Sequence, residues 1–312
     1  MTLKSSFRYL RPPDILALVF DLAMSLLFVA RIGTIGDAGL VLSLNLAVGG
    51  GIFLLAFLSA RSGNGMWRII HDWYLVPLVF LSFKEIHVFI QAIQPEDKDY
   101  LLIAIDRWIF HMDPTVWLWQ FSSPPLTEIL QISYSSFYFL MLTMGFELYV
   151  RREYPQFSFA VFSILYGFFL SYVGYLLVPG VGPRFTLHNF QLMDTELPGV
   201  FLTTTLRDLI NAGESIPKGA LNAMKLAQRD VFPSGHTEMT LITMYLAQRY
   251  RLSSRHVINI LGVLLIVGTV YLRYHYVIDL IAGTLVMSFV VWSGRHMFLW
   301  LERVRGNPLP II

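Results

Sequence analysis

The sequence predicts an all-α integral membrane protein with about eight transmembrane helices. Of its 312 residues, 55% are hydrophobic and only 14% are charged, whereas soluble globular proteins carry about 25% charged residues. The mean hydropathy is +0.58. The apolar stretches are long enough to cross a bilayer as helices, which takes about 20 residues, and they lack the strict alternation of barrel strands. This composition excludes an ordinary soluble enzyme, and a 15% aromatic content excludes disorder.

Eight apolar stretches account for the predicted spans, which cover residues 15–30, 40–59, 69–93, 126–150, 157–178, 234–250, 256–272 and 274–298. The first stretch resembles a signal peptide, but no small-residue cleavage site follows it, so we predict an uncleaved helix. The sixth is short, because a helix from Thr237 to Tyr250 spans only about 21 Å of a core about 30 Å thick. His236 is therefore expected to be recessed toward the lipid headgroups.

Two segments do not fit a membrane span. Residues 100–121 combine apolar residues with Trp108, Trp117 and Trp119, which favours an interfacial helix at headgroup level over a short buried helix. Residues 179–233 form a long connection with a possible helix near 218–228. Because a loop of this length is usually functional or disordered, we expect a lid or a wall of the substrate access route.

The basic residues orient the predicted bundle. If eight helices alternate, five positive clusters fall on one face, and these are Lys4, Arg8 and Arg11; Arg61 and Arg68; Arg151 and Arg152; Arg249, Arg251 and Arg255; Arg303 and Arg305. The positive-inside rule then makes both termini cytoplasmic. We divide the chain into an N-terminal two-helix extension (1–68), a six-helix core (69–298) with its interfacial segment (99–121) and outer loop (179–233), and a cytoplasmic tail (299–312).

Residues that favour phosphate chemistry lie on the opposite, extracytoplasmic or lumenal, face. Ser234 and Gly235 stand where the long loop ends and the sixth helix begins, directly before His236. Serine is a good N-cap, and the free amides of a helix start bind anions such as phosphate. The structural alternative is a capped helix with an incidental histidine.

A second polar segment lies at the seventh-to-eighth turn. On a helix, His275 and Asp279 are i, i+4 neighbours, and a carboxylate that accepts from one imidazole nitrogen leaves the other free to attack. Arg273 adds a guanidinium suited to phosphate oxygens. The alternative is a structural pair that holds two helices together.

Arg184 follows the fifth span on the same face, so the set contains two histidines, one aspartate and two arginines. This set suits phosphoryl transfer through a phosphohistidine, with one histidine attacking phosphorus and the other protonating the leaving alkoxide. A zinc site is the rival interpretation, but the ligands are few, the chain has no cysteine, and nearby arginine repels a cation. We therefore expect neither a metal nor another cofactor.

The Pro-Ser-Gly-His segment, followed about 40 residues later by His-x-x-x-Asp, resembles the type 2 phosphatidic acid phosphatase superfamily. The resemblance implies a six-helix core formed by the last six spans. It implies that His275 is the nucleophile, Asp279 its partner and His236 the general acid. It also implies phosphate binding by Ser234, Gly235 and Arg184.

Departures from that pattern point to one branch of the superfamily. Leu177 stands where the family has lysine, Pro183 precedes rather than follows Arg184, and Thr269 stands where the last motif has arginine. The segments around Arg273 and Arg184, and residues 106–134, are similar to the fungal inositol phosphorylceramide synthases (aureobasidin-resistance proteins) and their bacterial relatives. This similarity favours transfer of a phospho-headgroup to an alcohol over hydrolysis.

The expected function is a metal-independent enzyme that moves an inositol-phosphate-like headgroup from a phospholipid to a lipid alcohol such as ceramide. The alternatives are a lipid phosphate or polyprenyl diphosphate phosphatase, and a lipid-binding protein or transporter with a vestigial site. Intramembrane ionisable residues are often functional. Lys84, Glu85, His87 and Tyr274 are therefore candidates for headgroup binding, and Lys84 for the missing lysine, with a local ion pair as the alternative. The net charge of +2 does not indicate a nucleic-acid partner.

Overall fold

The computed structural model describes residues 9–93 and 96–312, and its regular structure is helical throughout that part of the chain. Lys4 and Arg8 of the first positive cluster lie outside the described residues. The helices are α1 (Pro12–Ala30), α2 (Ala38–Arg61), α3 (Gly65–Trp73), α4 (Leu75–Ile93), α5 (Asp99–Phe110), α6 (Pro114–Trp119), α7 (Pro124–Ser135), α8 (Phe137–Val150), α9 (Tyr154–Leu177), α10 (Pro183–Thr186), α11 (Met193–Glu196), α12 (Thr203–Gly213), α13 (Ala223–Leu226), α14 (Gly235–Arg249), α15 (Arg255–Tyr271) and α16 (Val277–Val304).

Five of these helical stretches are long and apolar enough to cross a membrane, namely α1, α2, α3 together with α4, α9 and α16. Helices α7 and α8 make a sixth if they form one span, although the chain bends by 49° between them. The remaining predicted spans correspond to α14 and α15, which contain 15 and 17 residues. The chain is thus a multi-pass membrane protein, and its described residues contain five or six helices of spanning length where the sequence predicted eight.

Helix α9 lies at the centre of the bundle. It packs against α1, α4, α8, α14 and α16, and 56% of its most apolar window is buried, against 17–28% for the other span-length helices. The lipid-facing sides of the outer helices expose large apolar residues such as Leu46 and Leu285, as expected for helices in a bilayer.

Packing and polar contacts join the N-terminal helices to the bundle. Helix α1 packs on α9 and on α2. On α2, the Asn45 amide donates to Glu85 Oε1 of α4 at 2.7 Å and to Ser25 Oγ of α1 at 3.1 Å. Glu85 is therefore bonded to the N-terminal extension, on the side away from the long loop.

Positive residues from separate clusters meet at one end of the bundle. Arg11, Arg68 and Arg305 line a single cavity there. Arg151 donates to Ser253 Oγ at 2.9 Å, which brings two further clusters into contact. The positively charged clusters that the sequence predicts on one face of the membrane therefore lie at the same end of the helix bundle.

The two segments without spans form short helices at the other end. Trp108 of α5 is 79% exposed, while Asp99 and Asp106 on its opposite side are buried, and the position of this helix at the membrane interface stays a prediction. In the long loop, the principal helix is α12. The predicted helix near 218–228 is reduced to the single turn α13.

Candidate active site

The two histidine-bearing segments are joined through their backbones. Ser234 caps α14, since its Oγ accepts from the Thr237 amide at 3.2 Å, and its own amide donates to the Asp279 carbonyl at 3.0 Å. A Cβ on Gly283 would lie 2.7 Å from the Ser234 carbonyl oxygen, so a side chain at this position would separate α16 from the start of α14. The sequence-predicted segments therefore meet because α16 has a glycine at the crossing.

His275 is buried and held in one tautomer. Its Nδ1 lies 3.0 Å from the Val231 carbonyl oxygen and 3.4 Å from Asp279 Oδ2. Because a carbonyl can only accept, Nδ1 carries the proton and Nε2 keeps its lone pair. Burial lowers the pKa of His275 well below its usual value, and the neighbouring His236 and Arg184 lower it further. The imidazole is thus neutral, as a nucleophile must be.

His236 faces His275 across a small aromatic enclosure. The two ring centroids are 5.6 Å apart. The His236 ring also stacks on Tyr134 at 4.6 Å and lies 4.4 Å from Phe137. Tyr134 in turn stacks on Tyr274 at 4.3 Å. The sequence did not single out Tyr134, although it precedes Phe137 by one helical turn and therefore shares its face of the chain.

Arg184 is the arginine nearest to the histidine pair. Its guanidinium is buried, pairs with Glu214 and lies 5.0 Å over the Tyr274 ring, and its Nε has no partner among the described residues. Its backbone amide donates to the Arg273 carbonyl at 3.0 Å. Gly182, with a φ of +94° and only 2.8 Å from ideal Cβ to the Tyr274 carbonyl oxygen, permits this close turn.

Arg273 points to a neighbouring cluster. It has a left-handed backbone with φ 67°, and its fully buried side chain pairs with Glu196 and lies 5.8 Å from the Trp119 ring. Its Nε and Nη2 have no partner among the described residues. Burial lowers the pKa of His188 to about 4, and the charge of Arg273 is the second cause of this shift. The structure therefore separates the two arginines, and only Arg184 acts on the pKa of His275.

Of the three residues of α4 that were predicted to bind a headgroup, Lys84 and Glu85 have partners in two different parts of the structure. Lys84 donates to the Gly213 carbonyl at 2.5 Å and to Ser215 Oγ at 3.0 Å, at the end of α12 next to Glu214. His87 lies on the same helix, and its Nδ1 is unpartnered within the described chain. Glu85, as described above, is bonded to Asn45. Leu177 is 63% exposed, so the position where the family has lysine points away from the site here.

The long loop is fastened over the site by carboxylates. Glu128 of α7 accepts from the amides of residues 200–203 at 2.6–3.3 Å and from Thr203 Oγ1 at 2.7 Å. At the other end of α12, Glu214 pairs with Arg184. Burial raises the pKa of Asp230 to about 7, and the negative charge of Glu214 is the second cause of this shift. The loop thus places acidic groups against the cations that would bind phosphate.

Helix α5 braces the same region through two buried carboxylates. Asp99 accepts from the amides of Val181 and Gly182 at 3.0 and 2.8 Å and from Tyr276 Oη at 2.8 Å. Asp106 accepts from the first amides of α16, those of Val277 and Ile278, at 2.9 and 2.8 Å. These two residues were not predicted, because a carboxylate on an interfacial helix resembles ordinary solvent-facing charge.

Across residues 9–93 and 96–312, no group of three or more His, Asp or Glu side chains is arranged to hold a metal ion. The groups that converge instead are a neutral histidine, a second histidine and an arginine. This combination can attack an electrophilic phosphorus, protonate a leaving oxygen and neutralise phosphoryl charge.

Residues 101–293, more than half of the chain, match the sequence model of the PAP2 superfamily. The matched region contains both histidines, Asp279 and both arginines, while α1–α4 lie outside it. No curated protein and no solved structure matches the chain. The match confirms the superfamily that the Pro-Ser-Gly-His and His-x-x-x-Asp segments indicated, and the chain therefore belongs to the PAP2 superfamily of phosphatases and phosphotransferases that act on phosphoesters.

Proposed function

We propose that the protein transfers a phospho-headgroup, such as inositol phosphate, from a phospholipid to a lipid alcohol such as ceramide through a phosphohistidine. The observation that carries the proposal is the pairing of His275 and His236, with ring centroids 5.6 Å apart. The hydrogen bond from Nδ1 of His275 to a carbonyl leaves Nε2 as its nucleophilic atom. Arg184 stands beside the pair as the phosphate-binding cation.

The proposed reaction has two balanced steps. Nε2 of His275 forms a bond to phosphorus as the bond from phosphorus to the departing lipid alcohol breaks, and protonated His236 gives its proton to the leaving oxygen. Neutral His236 then takes the proton of the second alcohol. The oxygen of that alcohol attacks phosphorus and releases His275.

Arg184 and the Gly235 amide at the start of α14, a helix that Ser234 caps through its Oγ, neutralise the developing charge, so these steps do not require a metal. Asp279, fully buried and bonded to the Tyr276 amide at 2.8 Å, orients the imidazole and stabilises the charge that His275 gains.

The surroundings favour a lipid alcohol over water as acceptor. His275 is 4% exposed and Arg184 4% exposed, and the rings of Tyr134, Phe137 and Tyr274 surround the histidine pair. A water-poor site disfavours hydrolysis of a reactive intermediate. The resemblance to the inositol phosphorylceramide synthase branch supports the same choice. Hydrolysis of a lipid phosphate or a polyprenyl diphosphate is the alternative.

We also propose that the end carrying His275 faces the extracytoplasmic or lumenal side. The opposite end holds Arg11, Arg68 and Arg305, and positive residues favour the cytoplasm.

The test uses purified protein in vesicles with phospholipids labelled in the phosphorus and in the headgroup. We expect labelled headgroup and phosphorus to move together to ceramide or diacylglycerol, in the presence of chelator. His275→Ala should abolish turnover and the acid-labile phosphoenzyme, whereas His256→Ala, at an exposed histidine on α15, should leave both unchanged. Undiminished turnover in folded His275→Ala contradicts the mechanism. Release of free phosphate, without transfer, assigns the hydrolytic alternative, and loss of activity with chelator assigns a metal enzyme.

A further inference from the structure

A polar cavity lies at the end of the bundle away from the histidines. Its volume is about 280 Å³, and its walls come from the start of α1, from α3, from the start of α9 and from the end of α16. Helix α16 begins beside His275 at Val277 and reaches the cavity at Glu302. Those 25 residues of helix correspond to about 38 Å, so the cavity is not part of the candidate active site.

Most charges in this cavity have close partners, and one arginine does not. Asp72 pairs with Arg11 and accepts from Tyr149 Oη at 2.9 Å. Arg305 donates to both oxygens of Glu302 at 2.7 and 2.8 Å. Arg68 is the exception, because its Nε lies 3.9 Å from Asp72 and its side chain is 50% exposed.

The guanidinium of Arg68 is nevertheless held in place. It lies 4.3 Å over the centroid of the Tyr154 ring, within the distance of a cation–π contact. An arginine that is oriented by an aromatic ring, and whose partner carboxylate lies 3.9 Å away, beyond hydrogen-bond distance, is suited to bind a phosphodiester through its guanidinium.

An apolar crevice continues from this cavity into the bundle. It encloses about 130 Å³ between α4, α8 and α9, and its walls include Val79, Met141, Ile164 and Phe168. The crevice and the polar cavity share the walls formed by Asp72, Leu75, Phe157 and Val161. A polar compartment that bears a cation thus opens into an apolar one.

We propose that this compound site binds a phospholipid, with its phosphodiester against Arg68 and the first part of one acyl chain in the crevice. A soluble phosphate would use only the polar compartment. The crevice is also far too small for a partner helix, which is about 10 Å across with a pitch of 5.4 Å. The bound lipid joins α1, α3, α9 and α16 and is a ligand of the fold distinct from the substrate, so the proposal does not rest on the proposed function.

Two variants test the two compartments separately. At Gly145, an added Cβ would meet Trp73 at 3.5 Å and Phe157 at 3.6 Å, which are ordinary contacts, so Gly145→Leu should fill the crevice without clashing at its first carbon. Gly50→Leu is the matched control, since its Cβ meets nothing within 4 Å. Arg68→Gln removes the charge at a half-exposed position where folding should be unaffected.

The measurement is native mass spectrometry of phospholipid retained by detergent-purified protein. It is combined with the change in Tm on adding phosphatidylethanolamine, phosphatidylglycerol or inorganic phosphate. We expect wild type, Gly50→Leu and His275→Ala to retain one phospholipid. Gly145→Leu and Arg68→Gln should bind it about tenfold more weakly, as expected for loss of a charge-assisted hydrogen bond or of the chain compartment.

Four outcomes would overturn the proposal. The first three are the absence of retained phospholipid in wild type, retention by Gly145→Leu and Arg68→Gln equal to that of wild type, and stabilisation by inorganic phosphate alone. Displacement of the lipid by an alkyl phosphate that occupies the active site would assign the crevice to the substrate and would also overturn it.

Discussion

Gly283→Ala should reduce turnover more than it reduces stability. The ideal Cβ lies 2.7 Å from the Ser234 carbonyl oxygen, whereas ordinary contacts begin at 3.4 Å, so the difference to be relieved is about 0.7 Å. The oxygen cannot rotate away, because it accepts from the Glu238 amide at 3.0 Å in the first turn of α14. Helix α16 must therefore move away from the start of α14.

The magnitudes follow from that movement. A shift of about 0.7 Å lengthens the bond from the Ser234 amide to the Asp279 carbonyl, now 3.0 Å, beyond hydrogen-bond range. Overpacking costs about 1–3 kcal/mol, and replacing a helical glycine by alanine returns about 1 kcal/mol. The net loss of stability is then about 0–2 kcal/mol. Because a misplacement near 1 Å can reduce catalysis by about 10²-fold, we expect kcat to fall by about 10- to 100-fold.

The assay compares kcat for labelled headgroup transfer with Tm in the same detergent. Gly294→Ala on the same helix is the control, because its Cβ meets Tyr166 at an ordinary 3.5 Å. This variant should keep wild-type kcat and gain a little stability. If Gly283→Ala retains more than half of the wild-type kcat, the crossing of α14 and α16 does not set the geometry of the histidines.

Three further predictions concern the same site. Asp279→Asn should lower kcat by about 10³- to 10⁴-fold, because the carboxylate that stabilises the charge gained by His275 is lost, in single-turnover assays, with the phosphoenzyme reduced in proportion; an unchanged kcat would show that the hydrogen bond to the Val231 carbonyl is sufficient. Because burial and neighbouring positive groups lower the pKa of His275 below 6.5, the nucleophile stays neutral as the pH falls through that value. The acid limb of the kcat/KM profile should therefore lie below pH 6.5, and a midpoint at or above it would contradict the assignment. Glu128→Ala leaves the amides of residues 200–203 without their acceptor, so Tm should fall and proteolysis within the loop should accelerate, with Ile129→Ala as the exposed control; equal proteolysis rates would refute the anchoring role.

Much of the architecture was predictable from hydropathy because bilayer thickness dictates the length of a span. The stretches at 15–30, 40–59 and 157–178 correspond directly to α1, α2 and α9. The count of eight was not confirmed, since α14 and α15 contain only 15 and 17 residues. Helix α14 is largely buried by neighbouring helices, whereas α15 exposes Val257, Ile260 and Val263 on its outer side. The bend between α7 and α8 was not predictable, because no proline or glycine marks it.

The site was partly predictable, since short motifs carry their own local geometry. His275 stands two residues before α16 and Asp279 lies in the first turn of that helix, and Ser234 caps the helix that begins after it, so neighbours in sequence determine both arrangements. Contacts over long separations left no such pattern. Nothing in the sequence pairs Glu214 with Arg184 or directs Arg273 to Glu196, because those pairs depend on how the long loop folds over the bundle.

Because α5 is predicted to lie at the membrane interface, the brace formed by Asp99 and Asp106 would couple the candidate active site to the bilayer. These carboxylates accept from the turn that carries Arg184 and from the first amides of α16. The depth of such a helix depends on lipid headgroup packing and curvature. We therefore expect the spacing between arginine and nucleophile to respond to lateral pressure, so that a change of host membrane alters the rate while the substrate remains the same.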